Sequence, residues 1–255
     1  MIDSQETPPL FYHNNFNIID IIKTGFQYTN GFKATAWKVI FILATIMYIL
    51  YKLAWFIFPD LKPYSEQVKE SFNIIDFIVI PVIAPLMTGF DMIIINYLRG
   101  KNVSYKSIFQ YYPIIWKLSL ASLFVYLIQD VISLITNSIG NYLHLKWFVI
   151  MSYILSMIIT TIYMFTLPLI ADKSLKIWDA MELSRKAVFA HFFSIIILYI
   201  LLVIITILSS IPLGIGMIWT VPMMFIAFYG LLYRMMFDGV SYDIEKKLSL
   251  NKHNF

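Results

Sequence analysis

The sequence predicts an all-α, polytopic membrane protein with six transmembrane helices, and three observations carry that reading. Of the 255 residues, 60% are hydrophobic and 13% charged, with a mean hydropathy of +0.75, whereas a soluble domain is about half apolar and about a quarter charged. Six windows with few or no charges follow one another, each near the roughly 20 residues a helix needs to cross about 30 Å of hydrocarbon. Basic residues, finally, concentrate in alternate connections.

Residues 1–33 read as a cytoplasmic N-terminal segment with an interfacial helix. They hold no uninterrupted apolar run before a small-residue cleavage site, so insertion is expected to rely on the first spanning helix. That span covers about 34–58; its single charge beyond Val39, Lys52, lies near the end and can snorkel outward. The second covers about 74–98. In the third, Lys117 and Asp130 enclose 12 uncharged residues, so it crosses as 116–138 with Lys117 at one interface and Asp130 near the other. The fourth, about 147–171, carries no Asp, Glu, Lys or Arg before its end. Spans five and six, about 192–211 and 215–235, share a run of 42 uncharged residues between His191 and Arg234. Ile211-Pro212-Leu213-Gly214-Ile215-Gly216 breaks that run into a hairpin, since proline removes a helical donor and glycine permits the reversal. The membrane domain is thus 34–237, followed by a cytoplasmic tail, 238–255.

Lys and Arg are retained on the cytoplasmic side of short loops. Fifteen of the 19 basic residues, from Lys23 to Lys252, fall on the side shared by the termini, and four, Lys52, Lys62, Lys69 and Lys146, fall on the other. The expectation is a bacterial cytoplasmic (inner) membrane protein with both termini in the cytoplasm.

Lys23-Thr24-Gly25-Phe26-Gln27-Tyr28 and Lys106-Ser107-Ile108-Phe109-Gln110-Tyr111 share the pattern K-[TS]-x-F-Q-Y, and each precedes a Trp-Lys pair, Trp37-Lys38 and Trp116-Lys117. A third stretch, 174–191, reads as an amphipathic helix with Leu175, Trp178 and Met181 on one side and Glu182 to Lys186 at i,i+4. Pro81 to Gly89 and Pro222 to Gly230 share a P-x7-G spacing. The pattern suggests three units of an interfacial helix and a transmembrane pair. Broken helices in corresponding positions flank substrate sites in transporters, but proline and glycine are also common in membrane helices for packing, and packing is the reading preferred.

An ionisable group at the centre of a membrane helix costs about 2.5–3.5 kcal/mol, so each is a candidate for function. Asp76 and Asp91 are 15 residues apart, a net rotation of about 60°, so both lie toward one face of the second helix, while Pro81, Pro85, Gly89 and Asn96 share another within about 80°. Asp130 is the third acid. These carboxylates, with Asn96, form a candidate intramembrane polar site for a cation or a proton. The plainer reading makes Asp76 and Asp130 helix-end residues and Asp91 a carboxyl bonded to hydroxyl groups. Lys106, Lys176, Arg185, Lys186 and Arg234 are the candidate head-group contacts, although Asp179, Glu182, Arg185 and Lys186 also read as a solvated charged face.

No catalytic constellation is visible. There is no cysteine, and His13, His144, His191 and His253 lack metal-ligand spacing. Gly214-Ile215-Gly216 lacks the Lys-Ser/Thr of a phosphate loop, and no G-x-S-x-G elbow occurs. No cofactor or metal is expected. The six tryptophans lie mostly near predicted helix ends as an interfacial belt, which argues against nucleic-acid binding.

Leu167-Pro168-Leu169-Ile170-Ala171-Asp172, the run Ile177 to Lys186, then Pro212-Leu213-Gly214-Ile215-Gly216, Thr220-Val221-Pro222 and Tyr233-Arg234 together resemble the C-terminal half of six-helix bacterial inner-membrane proteins of unknown function. That family is similar to the membrane domain fused to some glycerophosphodiester phosphodiesterases. The resemblance covers about 165–235, and the N-terminal half in outline through Ala84-Pro85-Leu86 to Gly89 and Arg99-Gly100. It implies a bacterial plasma-membrane protein and supplies no catalytic residues.

The expected function is non-enzymatic: an integral membrane protein of envelope or lipid homeostasis, or a membrane subunit of a complex, partnered by anionic head groups and by a membrane protein or further copies of itself. The alternative is a small proton- or cation-coupled transporter using the second helix. A membrane-embedded enzyme comes third and requires a water-accessible cluster of at least two polar catalytic groups, which pairing of Asp91 with Asp172 or Arg234 could supply.

Overall fold

A computed structural model describes residues 17–58, 74–145, 147–211 and 214–238. His13, Lys62, Lys69, Lys146, Pro212, Leu213, Lys246, Lys247, Lys252 and His253 lie outside the described residues. Among those described, regular structure is helical throughout, and six stretches are long and apolar enough to cross a membrane: 18–57, 75–98, 105–142, 147–173, 192–210 and 217–238. The chain is a multi-pass, all-α membrane protein.

Helix α1 (Ile18–Ile57) differs from the sequence reading, because residues 18–33 are not a separate interfacial helix but the first turns of one 40-residue helix. The reason is periodicity. Ile21, Gly25, Thr29, Phe32, Ala36, Val39 and Leu43 are all buried, and their spacing of three and four continues one stripe past the point where hydropathy falls. At 1.5 Å per residue α1 is about 60 Å long, twice the hydrocarbon thickness.

The remaining helices are α2 (Ile74–Leu98), α3 (Ile115–Tyr142), α4 (Trp147–Tyr163), α5 (Thr166–Lys173), α6 (Ile177–Ala190), α7 (Phe192–Ser210) and α8 (Met217–Phe225). The last continues with π-helical stretches at Ile226–Leu231 and Arg234–Asp238. Two 3-10 turns, Tyr105–Phe109 and Tyr112–Ile114, precede α3. The suspected repeat therefore does not extend to backbone conformation: Lys23–Tyr28 is α-helical, whereas its counterpart Lys106–Tyr111 lies largely in a 3-10 turn, closed off where Pro113 follows.

The chain divides into two compact units. One comprises residues up to Trp37, 93–105 and from His191 onward. Here Tyr97 stacks on Phe32 at 4.9 Å and donates from its hydroxyl to the Tyr28 carbonyl at 3.0 Å. Gly230 lets Leu98 and Ile94 lie against the last helix where a Cβ would collide with both. The end of α2 is a Schellman cap: the Lys101 and Gly100 N–H groups donate to the Asn96 and Tyr97 carbonyls, both at 3.0 Å, with Gly100 at φ 74°. Between α7 and α8, Gly214 has φ 76° and the Ser209 and Thr220 hydroxyls bond at 2.8 Å.

The other unit comprises 38–92 and 106–190. Ala54 of α1 packs on Ile75, Val79 and Ile83 of α2, covered by Leu50, Tyr51 and Trp55. Helices α3 and α4 form a hairpin carrying a polar seam, in which the Ser133 and Ser152 hydroxyls bond at 3.0 Å and Asn137 Nδ2 donates to Ser133 Oγ at 3.3 Å. At Gly89 an added Cβ would strike the Ile108 carbonyl and come within 2.8 Å of Ile108 Cα, so only glycine admits that crossing.

Proline organises both units. Its missing N–H leaves the carbonyl four residues earlier without an intrahelical donor, which in lipid costs several kcal/mol unless another group supplies one. Pro85 frees the Pro81 carbonyl, and Ser119 Oγ of α3 donates to it at 2.6 Å. Pro222 frees the Ile218 carbonyl, and Trp37 Nε1 of α1 donates to it at 3.0 Å. Pro168 coincides with the break between α4 and α5. Ser184 of α6 repairs that break, donating to the Ile162 carbonyl at 2.8 Å and accepting from the Phe165 N–H at 3.3 Å.

Candidate functional site

The chemistry-bearing residues gather in three places, each within one unit. The first is α6. After α5, Ser174 takes a left-handed conformation, φ 52°, and turns the chain. Ala180, Met181, Ser184 and Val188 then fall on one side of α6 and are buried, while Lys176, Arg185 and Lys186 are exposed and Trp178 is 69% exposed. Lys186 Nζ and Glu182 Oε1 pair at 2.7 Å across one turn. The hydrogen bond and charge of Lys186 hold the Glu182 carboxyl below the usual carboxylate range. The pair is therefore intact at neutral pH and is lost only as pH falls through that lowered value. Beside it opens a cavity of about 430 Å³, lined by Tyr163, Trp178, Met181, Glu182 and Arg185.

Lys106 is also exposed, in the first 3-10 turn. Arg234 is a correction. Rather than facing head groups, its side chain is only 18% exposed; Nε donates to Asp238 Oδ2 at 3.0 Å and Nη1 to the Leu98 carbonyl. Arg99, which the sequence reading did not single out, donates to the same Asp238 carboxylate through Nε at 3.3 Å and through Nη2. Its guanidinium lies 5.9 Å from the Tyr233 ring centre. These two arginines around one acid form the second place, a clamp on the end of α2. The i,i+4 spacing of Arg234 and Asp238 was the available signal.

The third place is acidic. Tyr51 donates to Asp76 Oδ1 at 2.6 Å, and Tyr126 and Asp130 of α3 both interact electrostatically with Asp76. Asp130 Oδ2 is buried and has no hydrogen-bond partner among the described residues. Asp76 and Asp130 are thus brought together, flanked by two phenols that sequence reasoning missed; the i,i+4 relation of Tyr126 to Asp130 was the legible part. Asp91 stands apart, about 22 Å along α2 from Asp76 by helical rise. It is 6% exposed, and among the described residues no hydrogen bond to its side chain is found. The nearby Thr88 hydroxyl instead donates to the Ala84 carbonyl at 2.8 Å. Asn96 is half-buried, its carbonyl engaged by the α2 cap.

Among the described residues no group of three His, Asp or Glu side chains stands where it could hold a metal ion. Compared with protein families, curated proteins and solved structures, the chain matches none.

Proposed function

We propose that the protein is a bacterial inner-membrane protein with cytoplasmic termini that works without catalysing a reaction, holding anionic lipid head groups on its basic cytoplasmic face in lipid or envelope homeostasis. Support comes above all from α6, where Lys176, Arg185, Lys186 and Trp178 stay exposed while the opposite side is buried against the neighbouring helices. Each basic group near an anionic surface contributes about 1 kcal/mol, and the 15 to 4 partition of basic residues supports a cytoplasmic side for that helix. Resemblance to six-helix bacterial membrane proteins points the same way. The test is purification in native lipid followed by mass spectrometry of what co-purifies. Anionic lipid should be enriched over the bulk membrane, and a Lys106→Gln, Lys176→Gln double variant should lose most of that enrichment; equal enrichment in both chains sinks the proposal. A stoichiometric protein in the same sample would instead identify a membrane subunit of a complex.

One observation favours a second reading, a proton- or cation-coupled transporter: the buried carboxyl of Asp91, without a hydrogen bond among the described residues. Groups of this kind in membrane helices serve proton relays and ion paths. Asp91→Asn should then abolish ion-coupled uptake in vesicles at unchanged abundance, whereas a head-group-binding protein is indifferent to it.

A further inference from the structure

We infer that the cavity between the end of α4 and α6 seats the head group of a phospholipid carrying both a phosphodiester and a primary ammonium. The inference rests on the reading above only in taking lipid head groups to meet α6, and for this cavity it names a zwitterionic rather than an anionic one. Arg185 is exposed, and its guanidinium makes no hydrogen bond or ion pair among the described residues beyond its charge acting on Glu182. Its planar fork of donors matches a phosphate. The Tyr163 hydroxyl, at the end of α4 and also lining the cavity, has no hydrogen-bond partner among the described residues and supplies another donor. Lys186 occupies Oε1 of Glu182 and leaves Oε2 to accept from an ammonium, and the exposed Trp178 ring beside it offers an aromatic face to the same cation.

Charge complementarity selects the class. A purely anionic head group would set its charge against Glu182, and a purely cationic one would meet Arg185 and Lys186. A head group with both signs satisfies both the acid and the bases. Primary ammonium is favoured over quaternary because the Glu182 oxygen is a hydrogen-bond acceptor and only the primary amine brings N–H donors. The volume, about 430 Å³, is in the range of small-molecule sites, roughly 300–1,000 Å³. Lipid rather than a soluble phosphoamine is the source, since Tyr163 belongs to a membrane-crossing stretch and Trp178 presents its indole outward.

The test is native mass spectrometry of the full chain in detergent, titrated with phosphatidylethanolamine, phosphatidylcholine, phosphatidylglycerol and water-soluble glycerophosphoethanolamine. Phosphatidylethanolamine should bind tightest. Arg185→Gln should weaken it about tenfold, the loss of one charge-assisted pair, with Arg185→Lys recovering part of the affinity. Glu182→Gln should weaken phosphatidylethanolamine by a similar factor while leaving phosphatidylglycerol unchanged or tighter. Equal binding of phosphatidylethanolamine by the wild type and by either glutamine variant overturns the proposal, as does binding of the soluble compound as tight as that of the lipid. If phosphatidylglycerol binds best and responds only to Lys106 and Lys176, the seat is wrong and the broader head-group reading survives. If the seat behaves as stated but anionic lipid is not enriched, the broader reading fails and the seat stands.

Discussion

In a bilayer the value of a hydroxyl depends on whether its acceptor already has a donor. Ser184 meets a carbonyl and an N–H left by the break at Pro168, so Ser184→Ala should cost about 1–3 kcal/mol. Thr45 Oγ1, by contrast, donates at 2.8 Å to the Phe41 carbonyl one turn back in the same helix, and Thr45→Ala should change stability by less than about 0.5 kcal/mol. Thermal unfolding in detergent compares the two; equal losses would show that the groups left open at the helix break carry no special weight. Gly89→Ala forces the Ile108 backbone to move and should cost about 2 kcal/mol or more, as overpacking against backbone does. None of these values was legible in the sequence. Proline and glycine were visible as breakers, but their partners come from other helices.

Elements were more legible than contacts, for a physical reason. Hydropathy integrates over about 20 residues, so α2 and α4 stand out, whereas α3 is interrupted by Lys117 and Asp130 and the first turns of α1 are hidden by Lys23, Lys33 and the amides around them, although a buried stripe runs through. Arg234 shows the opposite failure: a basic residue at the end of a span looks like a head-group contact until Asp238 and the Leu98 carbonyl are seen to hold it. Asp238 is the centre of that clamp, its side chain 26% exposed between two guanidinium groups. Asp238→Asn should cost about 2–3 kcal/mol, because charge-assisted bonds are lost and two cations are left facing each other. Adding Arg99→Gln should recover part of the loss; strict additivity in the double variant would argue that the two arginines do not share the acid. The acidic cluster, too, was half legible: the carboxylates of Asp76 and Asp130 were named singly, and only folding joined them with Tyr51 and Tyr126.

For the whole molecule, six crossings follow from composition and spacing, because lipid requires backbone groups to be bonded within the protein, which a helix does for nearly all of its own. Reporters fused after Lys62, Gly140 and Leu213 should all report the outside, and one cytoplasmic result overturns the arrangement of termini. What connects the crossings has an order in time as well as in space. Synthesis runs from the N-terminus, and these three bonds between helices close at different delays. The Pro81 carbonyl is made 38 residues before Ser119, and that of Ile162 is made 22 residues before Ser184. Spans two and four therefore enter the bilayer unfinished and depend on the segment that follows. The Trp37 indole is made 181 residues before the Ile218 carbonyl, so the last span finds its donor already waiting. A chain halted before residue 218 would have its middle helices sealed and its first still holding out an unused hydrogen bond.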